Sequence, residues 1–355
     1  MLSIHTAPSL LSPKTFFCWG ILPIWGSKMF AGKVPPEVLK EIVFKNLNVE
    51  KAHRLIIGPG VGIDAAALDF GDYVVVASTD PITGAEERIG FYAVHVNAND
   101  VATFGAKPKW FLVNILLPEG SDESTLREIM DEIREVASSL DVSIIGGHTE
   151  VTPGLKKPIV VGTMLGEVEK DKLVIPNPRP GDAIILTKGV GIEGTSIIAH
   201  EREKELRSIF GKEFVERAKS YINEISVVKE ALIAREFATA MHDPTEGGVA
   251  NGLHEMADIN DLGFRVFKNK LIIREETKRI CTFYDIDPLS LISSGALLIS
   301  VPRDSAQLVV QKLQSNGIKA SIIGEFLAEK KRVIIENGVE RPLRRPETDE
   351  LWKVV

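Results

Sequence analysis

The sequence predicts an α+β fold, and two observations carry that prediction. Short strand-like apolar runs outnumber the helical patterns among them, so the regular strand–helix alternation of a parallel βαβ array is missing. A stretch with three prolines, "IPNPRPGD" (Ile175–Asp182), then divides the chain into two mixed halves.

The elements follow in order. Residues 1–30 read as an appended tail. Within it "FFCWGILPIWG" (Phe16–Gly26) is apolar, yet too short to span a bilayer and interrupted by Pro23. Lys14 gives it a weak signal-peptide look without a convincing cleavage site, and Met29 opens an ordinary domain start. Pro35-Pro36 begins a helix on which Val38, Leu39, Ile42, Val43 and Leu47 follow helical spacing. Strands are expected at 54–58, 73–79, 110–117, 142–147 and 159–168. A helix over 90–104 carries Val94, Ala98, Val101 and Ala102 on one face. Another over 123–139 carries Leu126, Ile129, Met130, Ile133, Val136, Ala137 and Leu140. The prolines at 175–182 separate an expected domain at 31–177 from one at 178–355. The second half opens with the strand "AIILTK", then a glycine loop, a helix, and a long helix near 212–237. The strand "ATAMHD", a glycine-led helix, the strand "LLISVP" (297–302) and a helix over 304–315 come next. "RVIIENGVERPL" closes as a hairpin, with Asn337-Gly338 as its turn.

Composition excludes several classes. A chain of 355 residues, 44% hydrophobic and 26% charged, suffices for two domains with sizeable cores. Its net charge of −7, with no basic block interleaved with aromatics, implies no nucleic-acid partner. Cys18 and Cys281 lie far apart and outside any CxxC. That excludes a disulfide framework, a thiolate zinc site and a thioredoxin-type centre, and fits a reducing cytoplasm. No segment is expected to cross a membrane.

Three stretches hold candidate chemistry. "GVGIEG" (Gly189–Gly194) matches G-x-G-x-x-G, but charged helical sequence follows where a dinucleotide fold needs a second strand and an acid. A tight strand-to-helix turn explains its glycines. The second is a series of carboxylates at element ends: Asp64, Asp80 and Asp100, with His148 and Glu150 after "VSIIGG". Hard oxygen donors arriving from several segments suit Mg²⁺ bridging to phosphate. Imidazole is a poor Mg²⁺ ligand, so His148 either binds phosphate or is structural. The third is "HDPTEGG" (His242–Gly248), where Thr245 could cap a helix whose first turn, Gly247 and Gly248, offers bare N–H groups to an anion. Glu246 opposes that use. Two like charges ~5 Å apart at an effective dielectric of ~20 repel by roughly 3 kcal/mol, about a hundredfold in affinity. Glu246 must therefore point outward, ligate metal through water, or face a cationic group.

The ordered series "GIDAA", "STD", "NDVATFGAKP", "GGHTEV", "RPGDAIILTKGVGIEGT", "ISVVKEAL", "HDPTEGGVANGLHEMA" and "IDPLSLISSGALLISVP" resembles the PurM/HypE superfamily, and most of all its HypE-like, AIR synthase-related members. The likeness runs from about residue 33 to 345. It implies a two-domain fold whose amino-terminal domains pair into an inter-subunit β-barrel, with a carboxy-terminal α/β sandwich-type domain. It also implies an ATP- and Mg²⁺-using homodimer that phosphorylates an amide, carboxylate or similar acceptor. Carried over residue by residue, the metal ligands are Asp64, Asp80 and Asp100. The ATP-binding set is Asp64, Asn99, Gly146, Gly147, His148, Thr149, Asp243, Thr245, Gly247 and Gly248.

Three departures bear on the carry-over. Ile63 replaces the first aspartate of the family's "DDA", and Glu246 stands where HypE usually reads arginine. HypE also ends in a tail cysteine bearing the carbamoyl group that is dehydrated, whereas this sequence ends "DELWKVV". Three readings follow. The first is a Mg²⁺-ATP-dependent enzyme of synthetase or kinase type acting on an unidentified small amide- or carboxylate-type acceptor. The second is a non-catalytic, nucleotide-binding dimeric scaffold or regulator tied to hydrogenase maturation. The third is HypE activity with the cysteine supplied in trans, which adds a maturation-protein partner.

Overall fold

Two mixed sheets form the frame of the computed structural model, which describes residues 34–47, 49, 52–83 and 87–355. The tail expected at 1–30 lies outside the described residues. Both sheets belong to one compact unit, Gly32–Val355.

A short helical turn α1 (Pro36–Val38) precedes the first sheet, whose strands are β1 (Leu55–Ile57), β2 (Ala66–Asp69), β3 (Tyr73–Ile82), β4 (Lys107–Leu117), β5 (Ser143–Val151) and β6 (Ile159–Glu169). Their order is β1-β2-β3-β6-β4-β5, antiparallel except for the β4–β5 pair. Helices α2 (Ile89–Thr103) and α3 (Glu123–Ser139) pack with this sheet around Phe111, Ile115, Ile133 and Met164. The sequence suggests a one-faced α2, yet every residue of it is buried. A helix buried on every side belongs between two layers, and its polar residues Asn97, Asn99 and Asp100 are each hydrogen-bonded there. Glycines on β6 let it lie close, since a Cβ on Gly166 would meet Val101 at 2.3 Å and one on Gly162 would meet Asn97 at 2.4 Å.

Ile175–Asp182 crosses to the second sheet without helix or strand. There, β7 (Ala183–Thr187), β8 (Ala240–His242), β9 (Gly263–Phe267), β10 (Leu298–Val301), β11 (Ala320–Leu327), β12 (Arg332–Glu336) and β13 (Val339–Pro342) are ordered β13-β12-β9-β11-β7-β10-β8. Asn337 and Gly338, at φ 51° and 77°, make the expected turn between β12 and β13. Around the sheet lie α4 (Ile192–Glu201), α5 (Glu203–Phe210), α6 (Lys212–Lys219), α7 (Val228–Ala234), α8 (Gly248–Ile259), α9 (Glu275–Tyr284) and α10 (Ala306–Ser315). Residues from α7 and α10 share one core with the sheet, and residues from α8 share another. The interior strand β7 is fully buried with antiparallel neighbours on both sides, which is not a dinucleotide-binding topology.

The single long helix expected near 212–237 is broken into α6, a 3₁₀ segment (Ser220–Glu224) and α7. Tertiary hydrogen bonds replace the helical ones at the break. Lys188 Nζ donates to the carbonyls of Glu224 and Ser226 at 2.8 and 2.6 Å. Asn99 donates to the Ile225 carbonyl at 2.9 Å and accepts from the Val227 N–H at 2.8 Å.

Candidate active site

Four carboxylates from four segments share one neighbourhood. Asp64 lies in the turn before β2, Asp80 on β3, Asp100 on α2 and Asp243 just beyond β8. Asp100 is buried, and Ser78 Oγ donates to its Oδ2 at 2.6 Å while lying 3.2 Å from the Asp64 carbonyl. Burial, then the charges of Asp243, Asp80 and Asp64, push the Asp100 carboxyl well above the usual carboxylate range, against the Ser78 hydrogen bond. Asn97 fixes the Asp80 backbone, accepting from its N–H at 2.9 Å. Gathered carboxylates of this kind call for a cation. Among the described residues, no three His, Cys, Asp or Glu side chains stand as a ready-made metal cage. The all-oxygen donors nonetheless suit Mg²⁺, which binds through one or two carboxylates and completes its shell with phosphate oxygens and water.

One cation is built into the protein, and the sequence reasoning missed it. His242 is 2% exposed, with Nδ1 at 2.9 Å from Asp64 Oδ2 and Nε2 at 2.9 Å from Glu255 Oε2. Burial disfavours its charge, but Asp64 and then Glu255 outweigh burial and raise the imidazole to about 10. At neutral pH an imidazolium therefore joins the Asp64 turn to α8. The available signal was a histidine ending a strand beside "DPTEGG".

The start of α8 departs from expectation. Thr245 does not cap the helix through its side chain; Gly247 is the N-cap, at φ 77°, and the Thr245 carbonyl accepts from the Gly248 N–H at 2.9 Å. Gly248 admits no side chain, because a Cβ would lie 2.4 Å from the Leu291 carbonyl oxygen and 2.6 Å from that of Leu289. The Gly247 N–H already points at an anion, donating to Asp349 Oδ2 at 2.6 Å. Glu246 is half-buried, and its charge acts on Glu193 and Asp349.

The remaining candidates lie elsewhere. Asn99 is fully buried and spends its amide on the Ile225–Val227 backbone, so it clamps the helix break instead of facing a cleft. Gly146, Gly147, His148 and Thr149 sit on β5, exposed along its whole length at the sheet edge. In the order β3-β6-β4-β5 they are three strands from Asp80, about 14 Å at ordinary strand spacing. A Cβ on Gly147 would lie 1.8 Å from the Val113 carbonyl oxygen, so glycine is required for this pairing. His148 Nε2 lies 3.0 Å from Glu150 Oε2, at the surface. The glycines of "GVGIEG" serve close packing, since a Cβ on Gly194 would meet Leu291 at 2.4 Å. Cys281 is buried, and burial followed by the charges of Asp287 and Glu350 pushes its thiol up to about 12.

His95, beside this region on α2, supports a pH prediction. Its ring packs on Phe91 with centroids 4.4 Å apart, and its Nδ1 has no hydrogen-bond partner. Burial, then Lys188 and Arg88, depress it to about 3. The unfolded chain, titrating near 6.5, therefore binds a proton that the folded protein refuses, and stability falls as pH drops below about 6.5. From pH 7 to 5 the wild type should lose about 2 kcal/mol more than His95→Phe. Urea melts at both pH values measure this, and parallel losses would refute the assignment.

Family models match twice, as the AIR synthase related protein N-terminal domain over residues 62–168 and the C-terminal domain over 179–336. The chain belongs to the AIR synthase related family. It is HypE-like within the PurM/HypE superfamily. A Methanocaldococcus jannaschii protein named for hydrogenase expression/formation is 32% identical over 323 residues, covering 87% of this chain and 92% of its own length. The structure of a HypE–HypF complex matches with a TM-score of 0.73 at 24% identity, covering 87% of this chain and 99% of that one. HypE in complex with ATP matches with a TM-score of 0.69 at 23% identity, covering 90% and 97%. The PurM-like α+β fold expected from the sequence is the fold of this family member.

Proposed function

We propose that this AIR synthase-related chain is a cytoplasmic, HypE-like enzyme that uses Mg²⁺-ATP to phosphorylate or dehydrate a small amide- or carboxylate-type acceptor. The observation that carries the reading is the meeting of Asp64, Asp80, Asp100 and Asp243 beside the His242 imidazolium and the glycine start of α8. The likeness to HypE in complex with ATP supports the choice of nucleotide. The residues divide the work. His242 holds one oxygen of Asp64 and so orients the other. Ser78 orients Asp100, and Asn97 sets the Asp80 backbone. Gly247 and Gly248 start α8, where negative charge is favoured, and Asp349 supplies that charge to the Gly247 N–H. Bound Mg²⁺ would supply charge neutralisation for phosphoryl transfer.

The reading includes a homodimer. Among the described residues β5 pairs with β4 alone and exposes Ile145 and Val151, an apolar edge that a second copy would cover. Gly146, Gly147, His148 and Thr149 would then reach nucleotide held by the partner's acidic residues. The HypE–HypF likeness supports a further maturation-protein partner. A nucleotide-binding scaffold without turnover is the second reading, favoured by Asp349 holding the Gly247 N–H. HypE activity with a cysteine from another chain is the third, favoured by the buried Cys281 thiol. Isothermal titration with a non-hydrolysable ATP analogue and Mg²⁺ should give micromolar binding, and silence up to millimolar ligand would sink the nucleotide reading. Phosphate release across a panel of amides and carboxylic acids separates enzyme from scaffold.

A further inference from the structure

The second sheet buries one face under α8 and the other under α7 and α10, and the second cover leaves a gap. On β9, Phe264 and Val266 enter the core shared with α8, so Arg265 and Phe267 point to the opposite face. There they line a cavity of about 730 Å³ beside the first turns of α10. Its floor is low because Ala183, Ala320 and Gly324 carry little or no side chain. Packing holds Gly324 to that, since a Cβ would lie 2.1 Å from the Arg265 carbonyl oxygen. Small-molecule sites typically enclose roughly 300–1,000 Å³, so the cavity is of the right size for one.

Charge gives the cavity its chemistry. Among the described residues, Arg265, Lys270 and Arg303 line it, with Glu325 as the single carboxylate. Glu325 bridges the two guanidiniums: Oε1 accepts from Arg265 Nη2, and Oε2 from Arg303 Nη1 at 3.3 Å. Three cations against one anion leave two positive charges in excess. The other acids that act on Arg265, Glu340 and Glu329, line no part of the cavity, and Glu340 pairs with Lys331. Arg265 Nε is buried with no hydrogen-bond partner, and no ion pair holds Lys270 among the described residues. Isolated surface ion pairs are worth little, but cations gathered in a concave wall focus their field on whatever enters. Half-buried Phe267 and Ile322 set apolar surface beside these donors. A guanidinium fork matches the paired oxygens of a carboxylate or phosphate.

We infer that this cavity binds a small organic anion, its carboxylate or phosphate head against Arg265 and Arg303 and its apolar body on Phe267 and Ile322. The site is separate from the acidic group. Strand β11 stands three strands from β8, which leads to Asp243, about 14 Å at ordinary strand spacing. Its excess charge is also of the opposite sign, so nucleotide and Mg²⁺ are no part of it.

Isothermal titration of the full chain with naphthoate, naphthyl phosphate and neutral naphthol, which share one apolar body, tests the assignment. At least one of the two anions should bind one-to-one, and naphthol roughly tenfold more weakly. Which anion binds tighter distinguishes a carboxylate ligand from a phosphate ester. The Arg303 side chain is 78% exposed, so Arg303→Gln should fold normally and lower the affinity about tenfold, the loss of one charge-assisted hydrogen bond. Ser321→Trp, which fills the cavity, should abolish binding. Saturating ATP analogue with Mg²⁺ should leave the anion's affinity unchanged. Silence of both anions up to millimolar concentration overturns the inference, as does naphthol binding as tightly as they do. Wild-type affinity in folded Arg303→Gln and Ser321→Trp overturns it too, and displacement by the ATP analogue would place the anion in the acidic site instead.

Discussion

Asp80→Ala should abolish Mg²⁺-dependent nucleotide binding, with an affinity loss of a hundredfold or more. The reasoning begins with charge. Asp80 sits late on β3 with its backbone fixed by Asn97, and its carboxylate belongs to the group with Asp64, Asp100 and Asp243. Two members have side-chain partners, Asp64 in His242 and Asp100 in Ser78, and Asp100 is held well above the usual carboxylate range. Asp80, like Asp64, is half-buried, whereas Asp100 and Asp243 are buried, so a hydrated cation meets the group at Asp80 and Asp64. Losing one charged ligand to a cation that bridges phosphate costs roughly 3 kcal/mol, about a hundredfold. Isothermal titration with ATP analogue and Mg²⁺ measures it, and wild-type affinity in a folded Asp80→Ala protein would refute the metal assignment. Asp100→Asn is the informative contrast, because burial and the neighbouring carboxylates disfavour its charge; apo stability should hold or rise in that variant.

The sequence could show where these carboxylates lie on the chain, but not which partners they share. Asp64, Asp80 and Asp100 stand at ends of apolar runs, a local pattern, and the ordered motifs carried the fold. The His242 bridge needs two contacts spanning 178 and 13 residues, and no spacing rule connects Asp64 to Glu255 through an imidazole. Asp349 is more distant still in this sense, 102 residues from Gly247, in a stretch with no motif of its own. Asn99 misleads for the opposite reason. Its place beside Asp100 in "ND" implies a ligand role, while the fold turns adjacent helical residues to different faces and gives Asn99 to the 225–227 backbone. The long helix over 212–237 fails similarly, because local periodicity carries no knowledge of the tertiary donors that satisfy a break.

Those donors lead to the largest stability effect expected. Lys188, which the sequence presents as the last residue of a strand before a glycine loop, adopts φ 54° and buries its ammonium 2.6 Å from Glu230 Oε1. Burial lowers its basicity and Glu230 opposes that, while the carbonyls of Glu224 and Ser226 take its remaining protons. Lys188→Met keeps the stem's volume but strands a carboxylate that is 2% exposed, together with two backbone carbonyls. Removing one partner of a buried ion pair costs about 3–5 kcal/mol, because the abandoned charge is not rehydrated. Adding Glu230→Gln should recover a part of that loss, since a neutral amide tolerates burial better than an unpaired carboxylate. Urea denaturation of the two single variants and the double variant forms the cycle. Losses that simply add would show that Lys188 acts through the 224–227 backbone alone. A coupling of 1 kcal/mol or more would show that the ion pair itself holds α7 against the break to which Asn99 also binds.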